Sequence, residues 1–361
     1  MNSNDDKLGL EGEFPEEDLP LLIRRYGMSD WNDGSVRILD RRKLPHDEVY
    51  VDCTSVEDVA TAIEDMAIQG AFSISIAAGY GLALTDLAKD DPTTSLRKAA
   101  DRLIRTRPTG LALRRMVEAC ITQANNAINS GEDPVAAIVA HADTGAAALA
   151  RQGWKTGQRV SELLHDGAGI LTHCFPDRSF CYLLMEAKRT GKRLTVFCSE
   201  TRPYLQGSRL TAYCAQQAGF DTRVVTDGMG AYLMRNGDID AFITAADHVC
   251  MDGTVCNKIG TYAHALAASA NNIPYYVLRQ SGPDTESADE SFITIEQRDG
   301  DAILEFAGER IAPEGVSGVY PGFDITPPEL VRGIVTDRGV FDANKIADYV
   351  NTRPFVTDAV V

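Results

Sequence analysis

The sequence predicts an α/β protein with two domains, a helix-rich N-terminal domain that contains a small sheet and a C-terminal domain built on a doubly wound parallel sheet. The chain has 361 residues, more than one hydrophobic core usually organises. Apolar residues at helical spacing dominate its first part, and short β-prone runs alternate with helical segments in its second part. We expect a flexible acidic tail over residues 1–17, the first domain over 18–150 and the second over 151–361.

Two short strands open the predicted N-terminal domain. Apolar and polar residues alternate over 35–39, and a second run at 49–53 can pair with the first in a small antiparallel sheet. From Ser55 onward the apolar spacing is helical, until residues 69–71 interrupt it. A helix of small residues is predicted over about 73–87, and two or three further helices over 92–153.

The second domain contains five apolar, β-prone runs, at 169–172, 194–198, 222–226, 241–245 and 275–278. Segments with helical patterning lie between them, at 179–190, 206–218, 230–236 and 258–271. This alternation predicts right-handed βαβ units and a parallel sheet. No GxGxxG motif follows a strand, so the sequence does not support a dinucleotide cofactor.

The charge of the chain restricts its partners. The formal net charge is −17, which repels a nucleic-acid backbone, so we expect no nucleic-acid partner. We expect no membrane partner either, since no apolar run reaches the roughly 18 residues needed to span a bilayer. The N-terminus lacks the basic and apolar regions of a secretion signal, which predicts a cytoplasmic location.

The eight cysteines are scattered and form no CxxC pair. In a large chain without a secretion signal, this distribution indicates free thiols in a reducing compartment. The spacing of Cys250 and Cys256 does not match that of zinc ligands, so we expect no metal.

Polar clusters follow four of the five predicted strands. The first strand ends in Thr172-His173-Cys174, and the second leads into residues 200–207. Residues 226–229 follow the third strand, and Ala246-Asp247-His248 follows the fourth. Because ligands of an open parallel sheet bind beyond the carboxyl ends of its strands, we expect these clusters to share one crevice.

Cys174 and Asp247 are the candidates for proton transfer. A nearby helix N-terminus or His173 would lower the pKa of the Cys174 thiol and favour the thiolate, although one more buried thiol is the structural alternative. A partly desolvated Asp247 would have a raised pKa and could act as general acid and base. The alternative for Asp247 is a helix cap or a structural ion pair.

Several residues suit an anionic ligand. Lys258, beside Asn257 at a predicted helix start, could bind an anionic oxygen, and so could Arg107 and Arg202. The segment Gln69-Gly70-Ala71 could offer backbone N–H groups to a phosphate. For any single Lys or Arg, a solvated cation or a salt bridge is the more common role.

These stretches resemble those of the S-methyl-5-thioribose-1-phosphate isomerases. The matching segments span residues 31–327, namely WNDG at 31–34, IAAGYG at 76–81, RPT at 107–109, LTHC at 171–174, ETRPYLQGSRLT at 200–211, Asp247, NKIGT at 257–261 and FDITP at 323–327. The resemblance implies a helical N-terminal domain with a small sheet, a Rossmann-like C-terminal domain and a homodimer. It also implies isomerisation of a sugar phosphate without a metal or nucleotide cofactor.

Site residues carry over from the resemblance by motif. Cys174 and Asp247 match the catalytic pair. The implied substrate-binding positions are Gly70, Ala71, Arg107, Gln206, Asn257 and Lys258, together with Gln69, which stands where the family usually has a phosphate-contacting arginine. The chain also departs from the family pattern at Phe175-Pro176-Asp177 and at His248.

These features predict an isomerase that converts an aldose 1-phosphate to the ketose 1-phosphate. In this hypothesis protonated Asp247 donates to the ring oxygen and Cys174 assists hydrogen transfer from C2 to C1, by a proton or a hydride route. S-methyl-5-thioribose 1-phosphate or a close analogue is the expected substrate, with 5-deoxyribose 1-phosphate and ribose 1,5-bisphosphate as alternatives. Two non-catalytic alternatives are a regulatory subunit of a translation-initiation exchange factor and a metabolite-sensing paralogue.

Overall fold

A computed structural model describes residues 14–24, 27–88, 91–108 and 110–352. These residues form two compact units, one that ends at Arg151 and one that begins at Gln152. The domain boundaries drawn from the sequence stay a prediction. Most of the predicted tail over 1–17 lies outside the described residues, and Phe14, within it, is buried. None of the helices in the described part of the chain has the length and apolar character needed to cross a membrane.

The first unit combines a three-stranded antiparallel sheet, in the order β1-β2-β3, with a cluster of helices. Its elements are β1 Ser29–Trp31, β2 Val36–Leu39, β3 Tyr50–Cys53, α1 Val56–Glu64, α2 Ala71–Ala83, α3 Pro92–Arg105, α4 Leu111–Ser130 and α5 Pro134–Glu162, which continues into the second unit. The predicted helical domain with a small antiparallel sheet is confirmed, whereas β1 was not predicted from the sequence.

The centre of the first unit is helix α2, which is buried from Ser73 to Ala83. Small residues allow this close packing, since a Cβ atom on Gly81 would lie 2.9 Å from the Val59 side chain of α1. Helix α1 itself starts at a capping box, in which the Ser55 hydroxyl accepts the Asp58 N–H at 3.2 Å and the Asp58 carboxylate accepts the Ser55 N–H at 3.0 Å.

The second unit is organised around a seven-stranded sheet in the order β17-β16-β10-β7-β4-β5-β6. All neighbouring strands in it are parallel except β16 and β17. The strands of this unit are β4 Gly169–His173, β5 Thr195–Ser199, β6 Asp221–Val225, β7 Ala241–Ala245, β8 His248–Val249, β9 Val255–Lys258, β10 Tyr275–Leu278, β11 Gln297–Arg298, β12 Glu305–Phe306, β13 Glu309–Arg310, β14 Tyr320–Pro321, β15 Phe323–Thr326, β16 Gly333–Val335 and β17 Val340–Phe341.

Helices connect these strands and complete the doubly wound, Rossmann-like architecture that the sequence predicts. They are α6 Asp177–Arg189, a π-helix Gly207–Thr211 followed by α7 Ala212–Ala218, α8 Gly230–Asn236, α9 Thr261–Ala270 and α10 Asp301–Leu304. The five predicted strands are β4, β5, β6, β7 and β10. The predicted helix over 258–271 begins later, at Thr261, because Asn257 and Lys258 belong to strand β9.

Strands β4 and β7 lie side by side at the point where the direction of the fold reverses. From β4 the chain proceeds outward through β5 and β6, and it then returns to place β7 on the other side of β4. The connections that follow β4 and β7 therefore leave the sheet in different directions, and the carboxyl ends of two such strands are where open parallel sheets commonly bind ligands.

The packing of α5 on α6 generates a stability prediction. A Cβ atom on Gly157 would lie 2.6 Å from the backbone nitrogen of Leu183 and 2.7 Å from the carbonyl carbon of Tyr182. Backbone atoms in a helix cannot move aside singly, so Gly157→Ala should force the two helices apart. We expect it to destabilise the protein by about 1–3 kcal/mol, more than the roughly 1 kcal/mol that the better helix propensity of alanine returns.

Urea unfolding measures this effect as a lower transition midpoint. The matched control is Gly228→Ala, because no atom lies within 4 Å of a Cβ placed there. Equal midpoints for the two variants would contradict the close contact between α5 and α6.

Candidate active site

Cys174 follows the last residue of β4 and has a left-handed backbone, with φ at 65°. Two threonine hydroxyls hold this conformation. The Cys174 N–H donates to Thr201 Oγ1 at 2.9 Å, and the Thr211 hydroxyl donates to the Cys174 carbonyl at 2.6 Å. Both threonines belong to the segment 200–211, so this segment fixes the position of the thiol.

The carboxylate of Asp227, just after β6, holds the start of that segment. It accepts the N–H groups of Thr201 and Arg202, each at 2.8 Å, and the hydroxyl of Ser199. Gly207 is required at its other end, since a Cβ atom there would lie 1.7 Å from the Ser199 carbonyl oxygen. The polar ends of β4, β5 and β6 are thus joined by direct hydrogen bonds.

Asp247 follows strand β7, and two contacts fix its backbone. Its N–H donates to the Cys256 carbonyl at 3.0 Å, and the Arg279 guanidinium lies 3.5 Å from its carbonyl oxygen. Arg279 is itself held by a buried ion pair with Asp284 at 2.9 Å. His248, which departs from the family pattern, lies 3.4 Å from the same Asp284 carboxylate. It therefore belongs to the group of side chains that supports the Asp247 backbone.

The environment of the Asp247 carboxyl group favours its protonated form. Solvent reaches it, yet the surrounding protein is dense enough that burial raises the pKa of its carboxyl group above the ordinary value. The nearby charges of Lys258, Arg279 and Arg298 oppose this effect without cancelling it. The predicted direction of the Asp247 pKa shift is therefore confirmed.

The prediction for the Cys174 thiol was wrong. Burial raises its pKa to about 11, and the opposing charges of Lys258 and Arg298 are too weak to reverse the effect. His173 provides no cation, because burial lowers the pKa of its imidazole. The His173 Nε2–H instead donates to the Ile259 carbonyl at 2.8 Å. Cys174 is half-buried, whereas the other seven cysteines are buried.

Lys258 and Asn257 lie in β9, which pairs with β15, rather than at a helix start. Both side chains are buried, at 5% exposure each. The Lys258 ammonium donates to the Gly322 carbonyl at 3.0 Å, and burial lowers its pKa. It also interacts electrostatically with both Cys174 and Asp247. Asn257 donates to the Thr261 hydroxyl at 3.0 Å.

Gln206 and Arg202 differ in what they can offer a ligand. Gln206 is 6% exposed, and its Oε1 has no hydrogen-bond partner among the residues that the structure describes. An unsatisfied buried oxygen of this kind is typical of a position completed by a ligand or water. The Arg202 guanidinium donates to the carbonyls of Ile303 and Glu305, at 3.2 and 2.8 Å, so it already serves a structural role.

The remaining predicted positions lie in the first unit, around the connection between α1 and α2. Gly70 is the N-cap of α2, with φ at 92° and no side-chain cap, and both it and Ala71 are exposed. Gln69 donates to the Met66 carbonyl at 3.2 Å, and Arg107 donates to the Ile63 carbonyl at 2.7 Å. The structure thus brings Gln69, Gly70, Ala71 and Arg107 to one end of α2.

Sequence reasoning missed two residues of the second unit. Arg298 interacts electrostatically with Cys174, Asp247 and Lys258. It lies in a two-residue strand within a polar region, where no periodicity could have revealed it. Asp324 accepts the Gly260 N–H at 2.7 Å at the start of α9, and burial raises its pKa to about 6. Its FDITP segment was recognised as part of the resemblance, but no role was assigned to it.

The described residues contain no group of three or more His, Cys, Asp or Glu side chains that could hold a metal ion. What the site offers is a thiol and a carboxyl group at the switch point of a parallel sheet, with buried cations beside them. Such a fold and site define a Rossmann-like enzyme of small-molecule chemistry.

Comparisons with known proteins identify the family. Residues 67–343 match the Initiation factor 2 subunit family. The methylthioribose-1-phosphate isomerase of Thermotoga neapolitana is 38% identical over 331 residues, which cover 86% of this chain and 93% of the relative. A putative methylthioribose-1-phosphate isomerase of Methanocaldococcus jannaschii is 37% identical over 325 residues, covering 87% of this chain and 95% of the relative.

Two solved structures share the fold. The 5-methylthioribose 1-phosphate isomerase of Pyrococcus horikoshii matches with a TM-score of 0.80 and 30% identity, over 94% of this chain and 98% of that one. The delta subunit of translation initiation factor eIF-2B from A. fulgidus matches with a TM-score of 0.74 and 33% identity, over 86% of this chain and 94% of that one. The chain therefore belongs to the Initiation factor 2 subunit family.

Proposed function

We propose that this chain is an aldose–ketose isomerase that converts S-methyl-5-thioribose 1-phosphate, or a close analogue, to the ketose 1-phosphate. The observation that carries the proposal is the position of Cys174 and Asp247, which follow two adjacent parallel strands at the switch point of the sheet. Each is accessible to solvent at least in part, and burial raises the pKa of each above its ordinary value, which favours the protonated form. Relatives 37–38% identical carry the name of this activity.

A protonated carboxyl group is what ring opening requires. The phosphate on C1 prevents an aldose 1-phosphate from opening spontaneously to an aldehyde. In the proposed reaction Asp247 gives its proton to the ring oxygen as the bond from C1 to that oxygen breaks, which leaves C1 electron-deficient. The raised pKa of Asp247 increases the fraction of protein in which this carboxyl group is protonated and can act as the acid.

The pKa of Cys174 favours the hydride route for the next step. A proton route needs a base at C2, and with a thiol pKa of about 11 only about one molecule in ten thousand holds the thiolate at pH 7. In the hydride route the C2 hydrogen moves to C1 with its bonding electrons, and the C2 hydroxyl becomes the carbonyl. The hydroxyl proton passes to Cys174 as the thiol proton returns to the Asp247 carboxylate, so the site is restored.

The proposal extends to the partner and the location of the chain. Exposed apolar side chains occur on the adjoining helices α8 and α9 and just before α8, namely Met229, Tyr232, Tyr262 and Leu266. A second copy of the chain would cover such a surface, in keeping with the homodimer that the resemblance implies. All eight cysteines are free thiols, which supports a cytoplasmic location.

Turnover of purified protein tests the isomerase proposal. The panel contains the 1-phosphates of methylthioribose, 5-deoxyribose and ribose together with ribose 1,5-bisphosphate, and we expect methylthioribose 1-phosphate to give the highest kcat/KM. Asp247→Asn and Cys174→Ser should each lower kcat at least a hundredfold with an unchanged melting temperature. Binding of these ligands without any turnover would instead support a regulatory or sensing protein.

Isotope tracing distinguishes the two routes of hydrogen transfer. With deuterium at C2 of the substrate, the hydride route retains the label at C1 of the ketose product, because the hydrogen never exchanges with solvent. NMR or mass spectrometry of the product measures the retained label. Loss of most of the deuterium to water would contradict the hydride route and require a base at C2.

Light scattering tests the dimer. The chain has a mass of 39.2 kDa, and the proposed dimer has about twice that mass. Tyr232→Asp combined with Leu266→Asp should yield the monomer, because both substitutions place charge in the exposed apolar surface. A wild-type protein that is monomeric at micromolar concentration would overturn this part of the proposal.

A further inference from the structure

Arg298 lies in an aromatic setting beside the candidate active site. Its guanidinium carbon is 5.6 Å from the ring centre of Tyr204, 5.9 Å from that of Tyr320 and 5.6 Å from that of Phe323. Glu296, two residues earlier, pairs with it at 3.0 Å. The side chain is 17% exposed, so its charge is only partly screened by water.

The backbone that places Arg298 also places Lys258. The Lys258 ammonium donates to the Gly322 carbonyl and lies 4.5 Å from the centre of the Phe323 ring. On the other side, a Cβ atom on Gly322 would lie 3.0 Å from Nε of Arg298. The two cations therefore pack against the same two residues, and the absence of a side chain at Gly322 lets Arg298 approach this closely.

We propose that Arg298 is a further functional residue of this site, whose guanidinium stabilises the negative charge that forms on Asp247 during isomerisation and acts by the same field on the Cys174 thiol. It is a positioning residue, because it acts through its field on these two groups. The inference deepens the proposed isomerase function and rests on it.

The proton transfers of the proposed reaction explain why a cation is needed near Asp247. When Asp247 gives its proton to the ring oxygen, a carboxylate forms at a position where burial disfavours it. The titratable or charged groups that act on or around Asp247 are Cys174, His248, Cys256, Lys258, Arg279, Glu296 and Arg298. Among the cations, Arg279 is committed to its buried ion pair with Asp284, and burial weakens the protonation of Lys258. Arg298 is paired with Glu296, but that carboxylate is half exposed, so water screens its charge better than that of the buried Asp284. The Arg298 guanidinium also stays charged throughout the working pH range.

The first measurement needs no substrate. Cys174 is the one cysteine of the eight that is not buried, so iodoacetamide should label it alone, and only through the thiolate. Removing a nearby cation raises the thiol pKa further and lowers the thiolate fraction. Arg298→Gln should therefore slow labelling at pH 9 about three- to tenfold, the change that half a pKa unit to one unit produces. Cys174→Ser should abolish the labelling.

The second measurement is the pH profile of kcat. Asp247 must be protonated to act, and Arg298 lowers its pKa. Arg298→Gln should therefore lower the plateau of kcat about ten- to a hundredfold while the alkaline limb of the profile moves to higher pH. A purely structural defect would lower the plateau without moving the limb. Arg298→Lys keeps the charge and should restore much of both.

Arg223→Gln is the matched control. Arg223 also pairs with an acid two residues earlier, Asp221 at 2.7 Å, and lies 5.4 Å from the centre of the Phe197 ring, but it is on the edge strand β6. It should change neither the labelling rate nor the profile.

The outcomes separate the two proposals. Unchanged labelling and an unchanged profile in folded Arg298→Gln, with turnover still abolished by Asp247→Asn, would overturn the role of Arg298 alone. Normal turnover in Asp247→Asn would overturn the isomerase mechanism itself. Slower labelling with an unshifted alkaline limb would restrict Arg298 to the thiol and refute its role at Asp247.

Discussion

The pairing of β4 with β7 is the constraint on which the rest of the site depends. Ile170 and Leu171 pair in parallel with Ala241 and Phe242, although about 70 residues separate the two strands along the chain. Because the pairing is parallel, both strands end at the same edge of the sheet. Cys174 and Asp247, which follow these two strands, therefore lie at the same edge, and the threonine contacts fix the backbone of Cys174 there.

The cations near the candidate site contrast with the net negative charge of the whole chain. A formal net charge of −17 would repel an anionic metabolite at long range. Lys258, Arg279 and Arg298 place positive charge near Asp247, yet burial still raises the pKa of Asp247 and of Cys174. The site therefore combines cations suited to a phosphorylated ligand with a thiol and a carboxyl group whose pKa values are both raised by burial. Neither the cations nor the burial alone would give this combination.

Periodicity in the sequence predicted the elements that are long and apolar, and it failed where elements are short or polar. Strands β7 and β10 were located to the residue because apolar and aromatic side chains predominate in them. Lys258 was assigned to a helix start, because nothing in the local pattern reveals that β9 pairs with β15. The pKa of Cys174 was misjudged for a related reason, since neighbours in sequence suggest cations whereas the surrounding fold determines burial. Arg298 could not be found from the sequence pattern, because its position depends on the pairing of β11 with β14, which are distant along the chain.

Binding of the proposed substrate would itself favour the protonated form of Asp247. A phosphate group on C1 brings negative charge close to the carbon whose ring bond Asp247 must open, and a nearby like charge disfavours the carboxylate. Substrate binding also displaces the water that now reaches Asp247, which raises the cost of ionisation further. Both effects raise the pKa of Asp247 further and favour the form that can give a proton to the ring oxygen. The carboxylate then forms, and Lys258 and Arg298, which pack against Gly322 and Phe323, are already placed to stabilise it.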